Sequence, residues 1–277
     1  MNISDLIYQG ASFLKRNKIN SYNLDSEIIL SSILNIKREK LLVTEDIVTN
    51  ETIIKFKNLI MRRSKQEPVA YIIEKREFMS KDFFVNQKSL IPRPETELLV
   101  DAIVKLYKNK SLFFLDIGIG SGCIILSILN NLKDSRGIGI DICKKTLKNS
   151  KINLNKFNLS NRCKLLHRSV KEVRNLKFDL VVSNPPYVQK REINRLSNDI
   201  KKFEPRIALD GGNDGLDVIR KVIYNSKNIL KCNGILALEV GYGQYLSVSK
   251  LLKSNNFRQK TVIKDYRNNI RCIFSTL

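Results

Sequence analysis

Residues 112–122 read Leu-Phe-Phe-Leu-Asp-Ile-Gly-Ile-Gly-Ser-Gly, a nearly unbroken apolar run that ends in three glycines at alternate positions. An apolar run of this kind is typical of a strand that is buried on both faces, as in a parallel sheet covered by helices. Alternating glycines let the backbone turn tightly, approach a ligand closely and present amide groups at the start of a helix. The stretch therefore predicts a strand, a ligand-binding turn and a helix, the repeating unit of an α/β fold.

The chain beyond this turn alternates short apolar runs with helical patterns. Apolar strands separated by helices imply a mostly parallel sheet covered on both faces, and the end of the chain adds a terminal antiparallel strand. The single histidine, His167, ends one apolar run and is interpreted as part of a strand. Strands are predicted at 112–117, 137–140, 164–167, 178–183, 235–240, 258–263 and 271–274, and helices over 95–107, 123–131, 144–155 and 216–230.

The amino-terminal region carries helical patterns instead. Ser4 and Asp5 can cap a first helix, and apolar runs of helical period follow at 28–34 and 51–64. Three short helices cannot each bury a face alone, so they predict a small helical domain over residues 1–75. Residues 76–94 predict a β-hairpin and a connector, because the prolines of Pro92-Arg93-Pro94 disfavour a helix. The α/β domain then spans 95–277.

The composition excludes several classes of protein. Hydrophobic residues make up 43% of the chain, which is enough for a packed core. One histidine and five scattered cysteines provide no zinc-site spacing and no disulfide framework, so we expect no metal. No stretch has the roughly 18 uncharged apolar residues of a membrane span, and the amino terminus lacks the charge order of a signal peptide, which predicts a cytoplasmic protein without a membrane partner.

The net charge is +22, from 49 Lys and Arg against 27 Asp and Glu. Such an excess is compatible with nucleic acid as a partner. The excess of Lys, Asn and Ile throughout the chain is equally typical of an AT-rich genome. The charge therefore leaves the class of partner open.

The spacing of the glycine turn separates it from two common nucleotide-binding loops. Gly122 comes one residue too early for the dinucleotide pattern G-x-G-x-x-G, and no Gly-Lys-Ser/Thr follows as in a Walker loop. The form Asp-x-Gly-x-Gly-x-Gly instead resembles motif one of the class I, Rossmann-like methyltransferases that use S-adenosyl-L-methionine. Asp141 ends the next strand, where a carboxylate can accept hydrogen bonds from the two hydroxyl groups of a ribose.

A second motif, Asn184-Pro185-Pro186-Tyr187, follows directly on the predicted strand 178–183. The prolines stiffen the loop and have no amide hydrogens, so the loop offers the Asn184 side-chain oxygen and the Pro185 carbonyl as acceptors. Hydrogen bonds from a planar NH2 group to these oxygens would raise the electron density on a poorly nucleophilic nitrogen, while the Tyr187 ring stacks on the plane. The motif predicts methylation of an amide or aminopurine nitrogen without a histidine base.

The four residues Asn184-Pro185-Pro186-Tyr187, here called the tetrad, leave three functions open. The tetrad resembles the motif of adenine-N6 nucleic-acid methyltransferases and that of protein glutamine methyltransferases. The third possible function is that of a non-catalytic protein of the same fold that binds RNA or the ribosome. The flanking sequences favour the second, because they resemble the release factor glutamine methyltransferase family over nearly the whole chain. The stretches that carry this resemblance are 76–78, 82–85, 90–97, 203–206, 208–217 and 239–241 with Gln244.

This resemblance implies transfer of a methyl group from S-adenosyl-L-methionine to the N5 amide nitrogen of the glutamine in the Gly-Gly-Gln motif of class 1 peptide chain release factors. It implies that nucleic acid is not required, and that the helical domain recognises the protein substrate. Ser169 and Val170 depart from the family, whose members tend to carry an acid and an aromatic residue there. The implied catalytic residues are Asn184, Pro185 and Tyr187, with Pro186 added for substrate binding. The implied cofactor-binding residues are Gly118, Ile119, Gly120, Ser121, Gly122, Asp141, Val170 and Asn184.

Overall fold

The computed structural model of the protein describes residues 1–41, 43 and 46–277. The chain divides into two compact units, and each has a hydrophobic core of its own. One unit consists of Met1–Lys75 with Ser197–Phe203, and the other of Arg76–Leu196 with Glu204–Leu277. Within the described ranges, no helix is both long and apolar enough to cross a membrane.

The first unit is helical. It contains α1 (Ile3–Arg16), α2 (Tyr22–Leu34), α3 (Arg38–Leu41), α4 (Asn50–Ser64) and α5 (Val69–Ile72), together with the later short helix Asn198–Phe203. The prediction that Ser4 and Asp5 cap α1 is wrong, because the side chain of Asn2 accepts a hydrogen bond from Asp5 N over 2.7 Å and starts the helix earlier. The ring of Phe56 packs against Gly10 of α1. A side-chain atom added to this glycine would lie 2.5 Å from the ring, so the contact needs a residue without a side chain.

A two-stranded hairpin follows, with β1 (Lys75–Phe78) and β2 (Lys81–Phe84). Its turn residues Met79 and Ser80 both have positive φ, 50° and 56°. The predicted start of the next helix at Glu95 is wrong by one residue, because α6 (Pro94–Leu106) begins on a proline. The first helical position suits proline, since its missing N–H would have no partner there and its fixed φ is already helical.

The second unit is built on a seven-stranded sheet with the order β5-β4-β3-β6-β7-β9-β8. Strands β3 to β7 are parallel, and β9 is antiparallel to both β7 and β8. The predicted α/β fold with a mostly parallel sheet and an antiparallel edge is confirmed. The strands are β3 (Phe113–Ile117), β4 (Arg136–Asp141), β5 (Cys163–His167), β6 (Phe178–Ser183), β7 (Leu230–Glu239), β8 (Arg258–Lys264) and β9 (Ile270–Thr276). The remaining helices are α7 (Cys123–Asn131), α8 (Lys144–Lys156), α9 (the helix Asn198–Phe203 above), α10 (Asp217–Ile229) and α11 (Tyr245–Ser254).

Helices cover both faces of this sheet. Phe114 of β3 belongs to a core cluster with Ile103 of α6 and Ile125 of α7, whereas the next residue, Leu115, belongs to a second cluster with Ile219 of α10. Each of these side chains is fully buried, and burial of one such side chain contributes about 2 kcal/mol. The two-sided burial explains why β3 is apolar throughout, and it leaves the carboxyl edge of the sheet as the place for polar loops.

Strand β7 and helix α11 also differ from the sequence-based prediction. Strand β7 begins at Leu230 rather than at residue 235, and its pairing with β6 is irregular between Phe178 and Leu180. Helix α11 was not predicted from the sequence at all. It follows β7, and its start contributes to the site described next.

Candidate active site

The glycine turn after β3 is hydrogen-bonded through its amide groups to the neighbouring strand, β4. The N–H groups of Gly118 and Ile119 both donate to the carbonyl of Ile140 in β4, over 2.9 and 3.1 Å. Gly120 N donates to Asp141 Oδ2 over 3.2 Å. These three amides are therefore occupied inside the fold, contrary to the expectation that the turn presents them to a ligand. What these residues offer a ligand is shape, because the carbonyls of Ile119 and Gly120 also accept hydrogen bonds inside the fold.

Open space lies over two of the three glycines. A side-chain atom on Gly118 would meet nothing within 4 Å, and one on Gly120 would meet only Gly118 O, at 4.0 Å. Both have positive φ, 76° and 58°, which glycine adopts without strain. Gly122 is different, because a side-chain atom there would lie 3.0 Å from Leu126 Cδ1. Gly118 and Gly120 thus form a cradle, while Gly122 allows close packing at the start of α7.

The side chains beside the cradle point into the fold. Ile119 is buried and packs on Gly139. A side-chain atom added to Gly139 would lie 2.2 Å from Ile119 Cδ1. Asp116, two residues before the first glycine, is fully buried, and its Oδ2 accepts from Ile125 N over 3.2 Å. Within the described ranges, Asp116 Oδ1 has no hydrogen-bond partner. Burial raises the pKa of Asp116 to about 7.

Asp141 lies at the carboxyl end of β4, against the glycine turn. Its Oδ1 accepts from Cys143 N over 2.8 Å, and its Oδ2 accepts from Gly120 N. Burial raises the pKa of Asp141, although these backbone N–H groups and the charge of His167 act in the opposite direction. Each carboxylate oxygen can accept more than one hydrogen bond, so Asp141 keeps capacity for the hydroxyl groups of a ligand. His167 itself ends β5, as predicted, and lies 3.0 Å from Ile142 O through Nε2.

The two residues after β5 that were singled out in the sequence, Ser169 and Val170, make contacts within the fold. Ser169 caps a short 3-10 helix, Val170–Glu172, and its N–H donates to the Glu172 carboxylate over 2.7 Å. The Val170 side chain is buried in the cluster that contains Ile138 and Ile140. Contact between Val170 and an adenine ring stays a prediction.

Strand β6 delivers Asn184 to the same edge of the sheet. Its Nδ2 donates to Thr96 Oγ1 in the first turn of α6 over 3.1 Å, and its side chain also hydrogen-bonds the carboxyl group of Glu239 at the end of β7. Thr96 and Glu239 are each only 2% exposed. Since these two buried partners take the hydrogens of the amide nitrogen, Asn184 Oδ1 is left to accept a hydrogen bond from a ligand.

Glu239 is a buried carboxyl group behind the tetrad. Burial raises its pKa to about 7, although hydrogen bonds from Thr96 and Asn184 and the charge of Arg271 lower it. In the described part of the chain its Oε2 has no hydrogen-bond partner. The carboxyl group is therefore held next to Asn184 in an environment where its charge is poorly solvated.

The remaining tetrad residues form a stiff platform. Pro185 is buried, and Pro186 and Tyr187 are half-buried. Tyr187 packs against the core cluster below β6 and β7, and its carbonyl accepts from Gln244 Nε2 over 3.0 Å. Burial raises the pKa of Tyr187 to about 12, so the ring stays neutral near neutral pH. Stacking of the Tyr187 ring on a planar substrate group stays a prediction.

Besides Asp116, which belongs to the glycine motif, three residues of the site were not assigned roles from the sequence: Thr96, Glu239 and Gln244. Their contacts are remote along the chain, since 88 residues separate Asn184 from Thr96 and 57 separate Gln244 from Tyr187. The available signal was their place in the stretches 90–97 and 239–244, which the resemblance had singled out. The described residues contain no group of three or more His, Cys, Asp and Glu side chains that could hold a metal ion.

The residues at this edge fit S-adenosyl-L-methionine. The cradle over Gly118 and Gly120 has room for the methionine part, and the unpartnered oxygen of Asp116 suits a ligand that carries a positively charged amino group. Asp141 has the acceptor capacity that a ribose needs. Carboxylate oxygens, which accept hydrogen bonds, suit a neutral nucleoside and an amino acid better than a pyrophosphate, which requires N–H donors or cations.

Comparison with known proteins gives matches over both units. The family model described as the PrmC N-terminal domain matches residues 5–73, and the Methyltransferase small domain matches residues 94–202. The release factor glutamine methyltransferase of Clostridium acetobutylicum is 38% identical over an alignment of 280 positions, which covers 99% of this chain and 98% of that protein. The release factor glutamine methyltransferase of Clostridium botulinum is 36% identical, with the same shares of the two chains.

Among solved structures, the ribosomal protein L11 methylase from Lactobacillus delbrueckii subsp. bulgaricus is similar, with a TM-score of 0.51 and 16% identity over 67% of this chain and 79% of that one. At this identity the likeness concerns the fold alone, which is the α/β fold of methyltransferases. The two clostridial sequences decide the family, because they match nearly from end to end at more than 30% identity. The chain belongs to the release factor glutamine methyltransferase family.

Proposed function

We propose that this protein transfers a methyl group from S-adenosyl-L-methionine to the side-chain amide nitrogen, N5, of the glutamine in the Gly-Gly-Gln motif of class 1 peptide chain release factors. One observation carries the proposal. Thr96 and Glu239 take the hydrogens of Asn184 Nδ2, so Oδ1 is oriented to accept a hydrogen bond from the NH2 group of an amide. An amide substrate also agrees with the names of the full-length relatives.

The cofactor supplies a methyl group on a sulfonium sulfur, which is the electrophile of the reaction. Gly118 and Gly120 would hold its methionine part, with Asp116 and Ser121 beside them, and Asp141 would hold the ribose. Ile119 and Gly122 shape the turn, and Val170 would border the adenine. These residues bring the electrophile to the same edge of the sheet as the tetrad.

The tetrad makes the substrate nitrogen reactive by orienting it. Asn184 Oδ1 and the Pro185 carbonyl accept hydrogen bonds from the two N–H groups, which raises the electron density on nitrogen and directs its lone pair. Tyr187 stacks on the amide plane, and Pro186 keeps the loop stiff. The bound cofactor would supply the methyl carbon for the new bond to nitrogen and would keep the electrons of the carbon–sulfur bond that breaks. The nitrogen then loses one proton to water, which requires no strong base.

The helical unit is proposed to recognise the protein substrate. Its helices form a core separate from that of the methyltransferase unit, so residues 1–75 act as a module for binding rather than for chemistry. A substrate that acts in translation places the reaction in the cytoplasm, and nucleic acid is not required.

A labelling experiment tests this function. Purified protein is incubated with S-adenosyl-L-methionine that carries a labelled methyl group, and with release factor, with RNA or with adenine-containing DNA in separate reactions. Label in the release factor alone supports the proposal. Label in nucleic acid alone contradicts it and identifies an adenine methyltransferase, while no label in any substrate, together with no cofactor binding by calorimetry, indicates a non-catalytic protein.

A further inference from the structure

We propose that Gln244 is a positioning residue for Tyr187, the aromatic platform of the substrate amide. The inference rests on the proposed function, because it assigns Gln244 a role in orienting that substrate. Gln244 lies immediately before α11, in the connection that follows β7. Its side chain lies behind the platform and bridges three separate segments of the chain.

Three hydrogen bonds define the bridge. Gln244 Nε2 donates to the carbonyl of Tyr187 over 3.0 Å and to the carbonyl of Gly215 over 3.2 Å. Its Oε1 accepts from Gly241 N over 2.9 Å. One amide group thus joins the end of the tetrad, the loop before α10 and the loop after β7. Every polar atom of the side chain has a partner, as expected of a rigid connection.

The two glycines of the bridge have no room for a side chain. An added atom on Gly241 would lie 2.8 Å from Gln244 Oε1 and 2.9 Å from Tyr187 Cδ2. An added atom on Gly215 would lie 2.5 Å from Tyr187 O and 2.8 Å from Gln244 Nε2. The backbone therefore closes around both side chains, and the Tyr187 ring lies directly against Gly241.

The loop before α10 is also attached to the segment after the tetrad. Gly211 N donates to Val188 O over 2.8 Å, and Lys190 N donates to Gly212 O over 2.9 Å. These bonds hold residues 188–190 but not the carbonyl of Tyr187 itself. Gln244 supplies the contact at Tyr187, one residue before this paired segment begins.

The chemistry of the bridge requires a glutamine. Two carbonyl oxygens face Nε2, so the atom at this position has to be a donor with two hydrogens. A glutamate has nearly the same shape and keeps an acceptor for Gly241 N, but it would place a carboxylate oxygen against the carbonyls of Tyr187 and Gly215. A methionine has a similar length and forms neither set of bonds.

Two variants, Gln244→Met and Gln244→Glu, test the proposal, with Gln259→Met on β8 as the matched control. Incorporation of 3-fluorotyrosine gives one fluorine signal for each of the nine tyrosines, and Tyr187→Phe identifies that of Tyr187. We expect both Gln244 variants to shift the Tyr187 signal and to lower kcat on release factor about tenfold, as for the loss of one to two hydrogen bonds. The cofactor Kd should stay within about twofold. The control, whose own partners are Tyr245 and Ser249, should match the parent protein in kcat and in the Tyr187 signal.

The proposal is overturned by an unshifted Tyr187 signal in both variants, by an unchanged kcat, or by a Kd for cofactor that rises as much as kcat falls. A Gln244→Glu variant that behaves like the parent protein also overturns it, since the donors would then be dispensable. If the parent protein does not methylate release factor, the proposed function fails instead. The fluorine signal still decides whether Gln244 positions Tyr187, because it does not depend on turnover.

Discussion

Asn184 Nδ2 donates a hydrogen bond to Thr96 Oγ1 over 3.1 Å, although 88 residues separate the two in the chain. The bond connects the tetrad after β6 to the first turn of α6. With Glu239 as the second partner, it fixes which end of the Asn184 amide faces a ligand. The orientation of the substrate amide therefore depends on residues outside the tetrad.

Replacement of Asn184 should separate chemistry from cofactor binding. We expect Asn184→Ala to lower kcat on the order of 10²-fold, because the oriented acceptor acts mainly in the transition state, and to change the cofactor Kd by less than about threefold. Steady-state kinetics and calorimetry measure the two quantities. An equal loss in both would show that Asn184 is chiefly a cofactor ligand.

Thr96→Val should weaken catalysis without unfolding the protein. Valine has the shape of threonine but cannot accept the hydrogen bond from Asn184, so the amide loses part of its orientation. A hydrogen bond of about 1 kcal/mol corresponds to a fall in kcat of about fivefold. Thr261→Val, at an exposed position of β8, is the matched control. A kcat equal to that of the control would contradict the positioning role of Thr96.

The buried carboxyl group of Glu239 should make stability depend on pH. Burial raises its pKa from an ordinary 4.5 to about 7, so the folded protein binds more protons than the unfolded chain between these values. The contribution is fully present below about pH 4.5 and is lost as the pH rises through about 7. The full effect is on the order of 3 kcal/mol.

Glu239→Gln removes this titration because glutamine is neutral throughout. The free energy of unfolding of the variant should therefore rise relative to that of the parent protein between about pH 5 and pH 8. Urea unfolding of both proteins across this range measures the difference. A difference that is independent of pH would show that Glu239 titrates normally in the folded state.

Asp141 should act on cofactor affinity rather than on turnover. We expect Asp141→Asn to raise the Kd for S-adenosyl-L-methionine about tenfold or more, because a carboxylate that can accept from a ribose hydroxyl is replaced by a weaker acceptor. The kcat at saturating cofactor should fall by less than about threefold. An unchanged Kd, measured by calorimetry, would remove Asp141 from the cofactor site.

The sequence predicts the sheet well because its strands are buried on both faces. The run Leu112–Ile117 and the stretch Phe178–Ser183 are apolar enough to identify β3 and β6, and the glycines and Asn184 mark where each strand ends. The start of α6 at Pro94 was missed because proline at the first position of a helix and proline in a connector give the same local signal.

The contacts behind the tetrad cannot be predicted from local sequence patterns. Thr96, Glu239 and Gln244 contact the tetrad because of where α6, β7 and α11 lie beside β6. No local pattern in the sequence encodes that placement. The glycine turn is a second case, because its alternating glycines predict free amides, whereas the pairing of Gly118 and Ile119 with Ile140 occupies them.

The position of the added methyl group decides whether the substrate is the glutamine of Gly-Gly-Gln. Purified release factor is methylated by this protein, digested and sequenced by mass spectrometry. We predict that the mass of one methylene group is added at the glutamine of Gly-Gly-Gln, and that release factor with asparagine at that position gains none. A methyl group on any other residue, or an unmodified Gly-Gly-Gln glutamine after exhaustive reaction, would contradict the proposed function.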